Sequence, residues 1–163
     1  MTSRLRSQQG FALIEMLIAI VVINVGLLAM LLALNSGMAT LRRSAETSTA
    51  SAIADQQLER FRARAFTAIS LDTGSLAATD STYRSDSAYS ATQVSSSCSP
   101  LVAACLPSQS VTGPDGRTYR VDTYIVSVVP AGGQGVKQVT VVVRKPGSPR
   151  TLARVVSTAG LDF

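Results

Sequence analysis

The 163-residue chain contains no histidine and no tryptophan, and only two cysteines. Without His the usual general base and the commonest metal ligand are both missing, so Ser-His-Asp and Cys-His nucleophile arrangements are excluded. Two thiols alone cannot build a typical zinc site. The ten carboxylates are scattered, and no GxxxxGK[ST] phosphate loop occurs. Gly132, Gly133 and Gly135 lie between two strand-like runs, as a hairpin turn would. No catalytic residue, metal or cofactor is expected. Aromatics are scarce, and no Lys/Arg cluster is interleaved with them, which weakens a nucleic-acid reading without removing it. The formal charge of +5 shrinks if the first ten residues, with Arg4 and Arg6, leave the mature molecule. The basic excess is then a weak argument for an acidic partner.

Proline, Lys and Arg are all absent from residues 11–34, a run of 24 in which Glu15 and Asn24 are the only strongly polar side chains. At ~1.5 Å per residue such a helix covers about 36 Å, enough for a hydrocarbon layer of roughly 30 Å. A core helix is rarely apolar on every face for so long, so the run reads as a membrane span. The head, residues 1–10, carries Arg4 and Arg6, no acid, and ends in Gly10, after which the apolar run begins at once. An ordinary secretory signal places its small cleavage residue after the apolar stretch; here it stands before. Arg42 and Arg43 follow the other end of the span, so charge alone sets no clear orientation. A carboxylate in a bilayer core costs roughly 2.5–3.5 kcal/mol, which makes Glu15 a functional candidate. The other reading is a tolerated acid that reaches back to the headgroups from four residues inside the span.

Residues 36–70 also lack proline, and the helical reading continues. Apolar residues recur at Leu41 and Ala45, then at Ala54, Leu58, Phe61, Ala65 and Ile69, spaced so that the second set shares one face. Asp55, Glu59, Arg62 and Arg64 occupy the opposite side. A continuous helix from residue 11 to about 70 would be about 90 Å long, with Gly26 and Gly37 as weak points.

Residues 72–116 read as a long surface loop. Ser, Thr and Ala dominate it as far as residue 110, Tyr83 and Tyr89 are its only aromatics, and such a composition is expected to bury little. Cys98 and Cys105, spaced C-x6-C, either close a small disulfide loop in an oxidising compartment or stand as two free thiols. After a turn signal at Gly113-Pro114-Asp115-Gly116, residues alternate: Tyr119, Val121, Thr123, Ile125 and Ser127 on one face, the expected inner one, and Arg120, Asp122, Tyr124, Val126 and Val128 on the other. A second β-branched run, residues 136–144, puts Val139, Val141 and Val143 on one face, and residues 151–157 give a third strand. Short turns imply an antiparallel meander over residues 117–163. Its apolar face has the helix stripe as partner, so the fold class is α+β, a long N-terminal helix packed on a C-terminal sheet.

The stretch Gly10-Phe11-Ala12-Leu13-Ile14-Glu15-Met16 resembles the class III signal of type IV prepilins, in which Gly precedes an aromatic, three further residues and a Glu inside an unbroken apolar run. Ala12 stands where Thr is frequent. The resemblance implies that a prepilin peptidase cuts between Gly10 and Phe11 and methylates the new terminus on Phe11. It also implies that Glu15 pairs with the terminal amine of a neighbouring subunit in a filament. The fold it implies is a ladle whose handle is the membrane helix: a leader at 1–10, a transmembrane half at 11–34 and an amphipathic half at 35–71. Residues 52–62, with Ala54-Asp55-Gln56-Gln57-Leu58-Glu59, and Gly26-Leu27-Leu28 in the span, resemble the minor pilins of the PilV, or pilus-modification, type.

The leading reading is a minor pilin-like structural subunit whose partners are other pilins, the prepilin peptidase and the inner-membrane assembly machinery. It would sit in the inner membrane as a single-pass protein and then move to an extracytoplasmic fibre. A minor pseudopilin of a type II secretion system is the near alternative. Another is a pilus-displayed module that captures DNA or a surface through basic residues such as Arg117, Arg120 and Arg144. An uncleaved bitopic anchor is the last.

Overall fold

A computed structural model describes residues 9–76, 80–98, 102–130 and 133–160, with side chains from Leu13 onward. The head through Gln8, with Arg4 and Arg6, lies outside the described residues, as does Gly132. The proline-free N-terminal half forms one helix, α1, Gln9–Arg62. The chain divides into two compact units, Met1–Ser44 and Ala45–Phe163, so α1 contributes to both.

In the first unit no side chain from Leu13 to Ser44 is buried. The most apolar stretch has a mean hydropathy of 2.9 and none of it is covered. Asn24 donates to the Ile20 carbonyl at 2.8 Å and Thr40 to the Ser36 carbonyl at 3.0 Å. These bonds satisfy polar groups within the helix itself, as a low-dielectric surrounding requires.

The second unit is an α+β packing. Four strands, β1 Ser108–Thr112, β2 Thr118–Val128, β3 Val136–Arg144 and β4 Thr151–Ala159, form an antiparallel sheet in the order β1-β2-β3-β4. Register sets the inner face: Val121 pairs with Val143, Thr123 with Val141 and Ile125 with Val139. Against these β-branched residues α1 lays Ala50, Ile53, Ala54, Leu58 and Phe61, all buried. The alternation read from β2 is therefore the one observed. The stripe starts later than its sequence suggests, because Leu41 and Ala45 are exposed.

The helix stops eight residues short of the expected end at residue 70, with Arg60 and Arg62 at the carbonyl end where the helix dipole favours cations. Beyond it the Arg64 amide reaches the Phe61 carbonyl at 3.0 Å, a tighter turn, and Phe66–Ala68 is a 3-10 helix. Downstream of this turn the Lys137 ammonium of β3 donates to the carbonyls of Phe66 at 2.7 Å and Ile69 at 2.8 Å and lies 4.7 Å from the centre of the Phe66 ring. Burial pushes its pKa down. Ile69 still reaches the core, but Ala65, expected on the same helical face, is exposed.

The segment after the helix also differs from the surface loop expected. Ser108–Thr112 is a fourth strand, joined to β2 through the 113–117 turn, where Gly116 adopts φ 71°. Gly113 packs so closely that an added Cβ would lie 2.9 Å from Thr49 and Tyr119 side-chain carbons. Residues 80–94 cover the outer sheet face. There Tyr83, Tyr124 and Val142 form a second buried cluster, with the two tyrosine rings stacked at 4.4 Å. The Tyr83 hydroxyl lies 2.6 Å from the Thr123 carbonyl and 2.8 Å from Gln93 Oε1.

Charged residues lock this cover down. Asp122, fully buried, accepts from Ser108 Oγ at 2.7 Å, from Arg120 Nε at 2.8 Å and from Arg144. Arg144 also pairs with Asp86, which accepts from Arg154 at 2.8 Å, and Arg120 donates to Asp80 at 2.7 Å. Burial alone would push the Asp80 and Asp86 carboxyls up. The amide groups of Tyr83 and Ala88 and the facing arginines outweigh it and hold both below the usual carboxylate range.

Candidate functional site

The first turns of α1 hold the residues that the sequence singles out. The helix begins at Gln9, so the Gly10–Phe11 peptide lies in its first turn, and Glu15 follows Phe11 by four residues. Four residues is a little over one turn, which puts position 15 on the face of position 11, about 6 Å further along the axis. The side chains of Gly10 and Phe11 lie outside the described residues. That of Glu15 is exposed and has no hydrogen-bond or ion-pair partner among them. Around it Leu13, Ile14, Met16, Leu17 and Ile18 are all more than half exposed. The arrangement is a lone carboxylate on a rod that is apolar all round, next to the bond whose cleavage would create a new amine.

Residues 5–31 match the prokaryotic N-terminal methylation motif. Neither curated proteins nor solved structures gave a match to the chain. The motif indicates a type IV pilin-like or pseudopilin substrate of prepilin peptidase. With the apolar helix that follows, it fits anchoring in the inner membrane and then incorporation into a pilus. Proteins of this kind are structural.

The other residues read from the sequence belong to the second unit. Cys98 and Cys105 form a disulfide with their Cα atoms 6.4 Å apart. The loop it closes is tied to the segment after α1: the Asp72 amide donates to the Cys105 carbonyl at 2.8 Å, and the Cys98 amide donates to Asp72 Oδ2 at 3.2 Å.

The basic surface suggested for DNA or surface capture does not form. Arg144 is buried between Asp86 and Asp122, Arg120 is shared by Asp80 and Asp122, and Arg117 pairs with Glu46. Each cation is matched by an acid that alternation, turn spacing or helix position brings to it. Sequence reading missed this network. Its signal was Asp122, an acid at the centre of a strand rich in β-branched and aromatic residues, where an unpaired charge is too costly to keep.

Proposed function

We propose that the chain is the precursor of a minor type IV pilin-like subunit. Prepilin peptidase cuts between Gly10 and Phe11, and the new amine on Phe11 is methylated. Residues 11–34 then hold the subunit in the inner membrane until Glu15 pairs with the terminal amine of a neighbouring pilin. The carrying observation is Glu15, which lies inside the matched motif and has no partner among the described residues.

In an apolar surrounding an unpaired carboxylate is expensive, and a neighbour's amine in register removes that cost. A subunit displaced by one residue would leave both charges unpaired, so the pair acts as a registration device for assembly. The domain behind the span serves as the exposed head of the subunit. The likeness of residues 52–62 to pilus-modification pilins supports a minor rather than a bulk subunit. Genomic neighbours separate a pilus from a secretion pseudopilus: pilus assembly genes support the first and secretion genes the second.

The test is intact-mass and N-terminal analysis of the native protein. The expected mature chain starts at methylated Phe11. A native protein that starts at Met1 and is absent from sheared fibres overturns the reading.

A further inference from the structure

Thr73, Tyr83, Arg84, Tyr89, Gln93 and Ser95 line an open cavity of about 270 Å³ beside the outer sheet face. Tyr83 and Tyr89 form its aromatic wall, their rings edge to face at 6.0 Å and 77°. The Tyr83 hydroxyl is shared between the Thr123 carbonyl and the Gln93 side-chain amide, which leaves the other polar atom of that amide for a ligand. Thr73 and Ser95 add hydroxyls that bond each other at 2.7 Å and keep further acceptor capacity.

Arg84, at the end of the short helix Ser81–Arg84, also lines the cavity. Arg120, Arg144 and Arg154 on this side of the sheet all face carboxylates, whereas Arg84 has no partner among the described residues. An aromatic wall, one amide group, two hydroxyls and one uncommitted guanidinium suit a compact ligand with apolar ring faces, several hydroxyls and one carboxylate. The volume lies just below the roughly 300 Å³ at which pockets for larger ligands begin, so it suits a single ring.

We infer that this cavity binds a sugar acid of the uronic type, with Arg84 holding the carboxylate as a forked ion pair, Tyr89 packing on the ring and Gln93, Thr73 and Ser95 meeting its hydroxyls. The inference does not rest on filament assembly, since it concerns the folded second unit alone.

The test uses the full chain in amine-oxide micelles, which carry no sugar headgroup. The chain has four tyrosines and no tryptophan, so tyrosine emission reports on this region with little background. Sodium glucuronate is titrated beside glucose, which lacks the carboxylate, and cyclohexanecarboxylate, which lacks the hydroxyls. Saturable change with glucuronate, and weaker change with both others, is expected. Arg84→Gln and Tyr89→Ala should each weaken binding about tenfold, the effect of losing one good contact. Arg84 is exposed, so Arg84→Gln should leave the circular dichroism unchanged. No saturation with glucuronate, equal binding of either control, or unaltered affinity in folded Arg84→Gln overturns the inference.

Discussion

Glu46 of α1 accepts the Lys145 ammonium at 2.6 Å and also pairs with Arg117. One carboxylate, its side chain 12% exposed, thus ties the helix to the β1–β2 turn and to the start of the β3–β4 turn. Both cations are about half exposed, so the energy is modest. Glu46→Gln should cost about 1 kcal/mol, read as a shift in the denaturant midpoint. Amide exchange at residues 113–117 and 145–148 should quicken while the central strands stay protected. Unchanged exchange in both turns would show that the tie is idle.

The outer-face network carries more. Removing one member of a buried ion pair leaves its partner charged and unmatched, at about 3–5 kcal/mol. Asp86, which faces Arg144 and Arg154, is such a member, so Asp86→Asn should destabilise the unit by about 3 kcal/mol. Chemical denaturation at neutral pH measures it.

Acid should act through the same groups. Asp80 and Asp86 titrate lower in the folded chain than in the unfolded one, where a carboxyl has a pKa of about 3.9. Their stabilisation is therefore complete above that unfolded value and is lost as pH falls through the lower folded values. Thermal melts should be flat from neutrality to about pH 5 and fall steeply below about pH 4, with a shallower acid limb in Asp86→Asn. An equally steep limb in that variant contradicts the assignment.

Cys98→Ser should leave N-terminal processing intact and cost about 2 kcal/mol, since the disulfide closes only a short loop. The ties of Asp72 to both half-cystines predict that the loss is felt at residues 71–76. Melting curves with and without reductant, paired with amide exchange there, check both statements.

At the N-terminus two substitutions should separate cutting from assembly. Gly10→Leu should leave the precursor uncut, visible as a larger mass. Glu15→Ala should be cut normally yet recovered poorly in sheared fibres. Wild-type recovery of Glu15→Ala would refute the pairing role.

Much of the fold was legible because it rests on periodicity. The unbroken apolar run, the Leu58 and Phe61 face and the alternation at Tyr119, Val121 and Ile125 each follow from a single repeat. Interactions between segments far apart in sequence were not legible. Nothing local to residues 63–70 announces the helix end, and Lys137, some seventy residues on, binds the carbonyls of Phe66 and Ile69 in the segment that follows. Nothing in the Ser- and Thr-rich stretch foretold that Tyr83 would stack on Tyr124, since that depends on which strand face the segment crosses. At the candidate site the Gly10, Phe11 and Glu15 spacing was readable because it lies within two turns of one helix. The arginines at 120 and 144 read as a basic surface because their acids come from other segments.

The central strands are clothed on both sides, by α1 within and by residues 80–94 without. Mutational drift at positions such as Val121, Tyr124, Val141 and Val142 is therefore closed off by crowding on either flank. The exposed turns, by contrast, can change what the surface presents without disturbing the frame beneath.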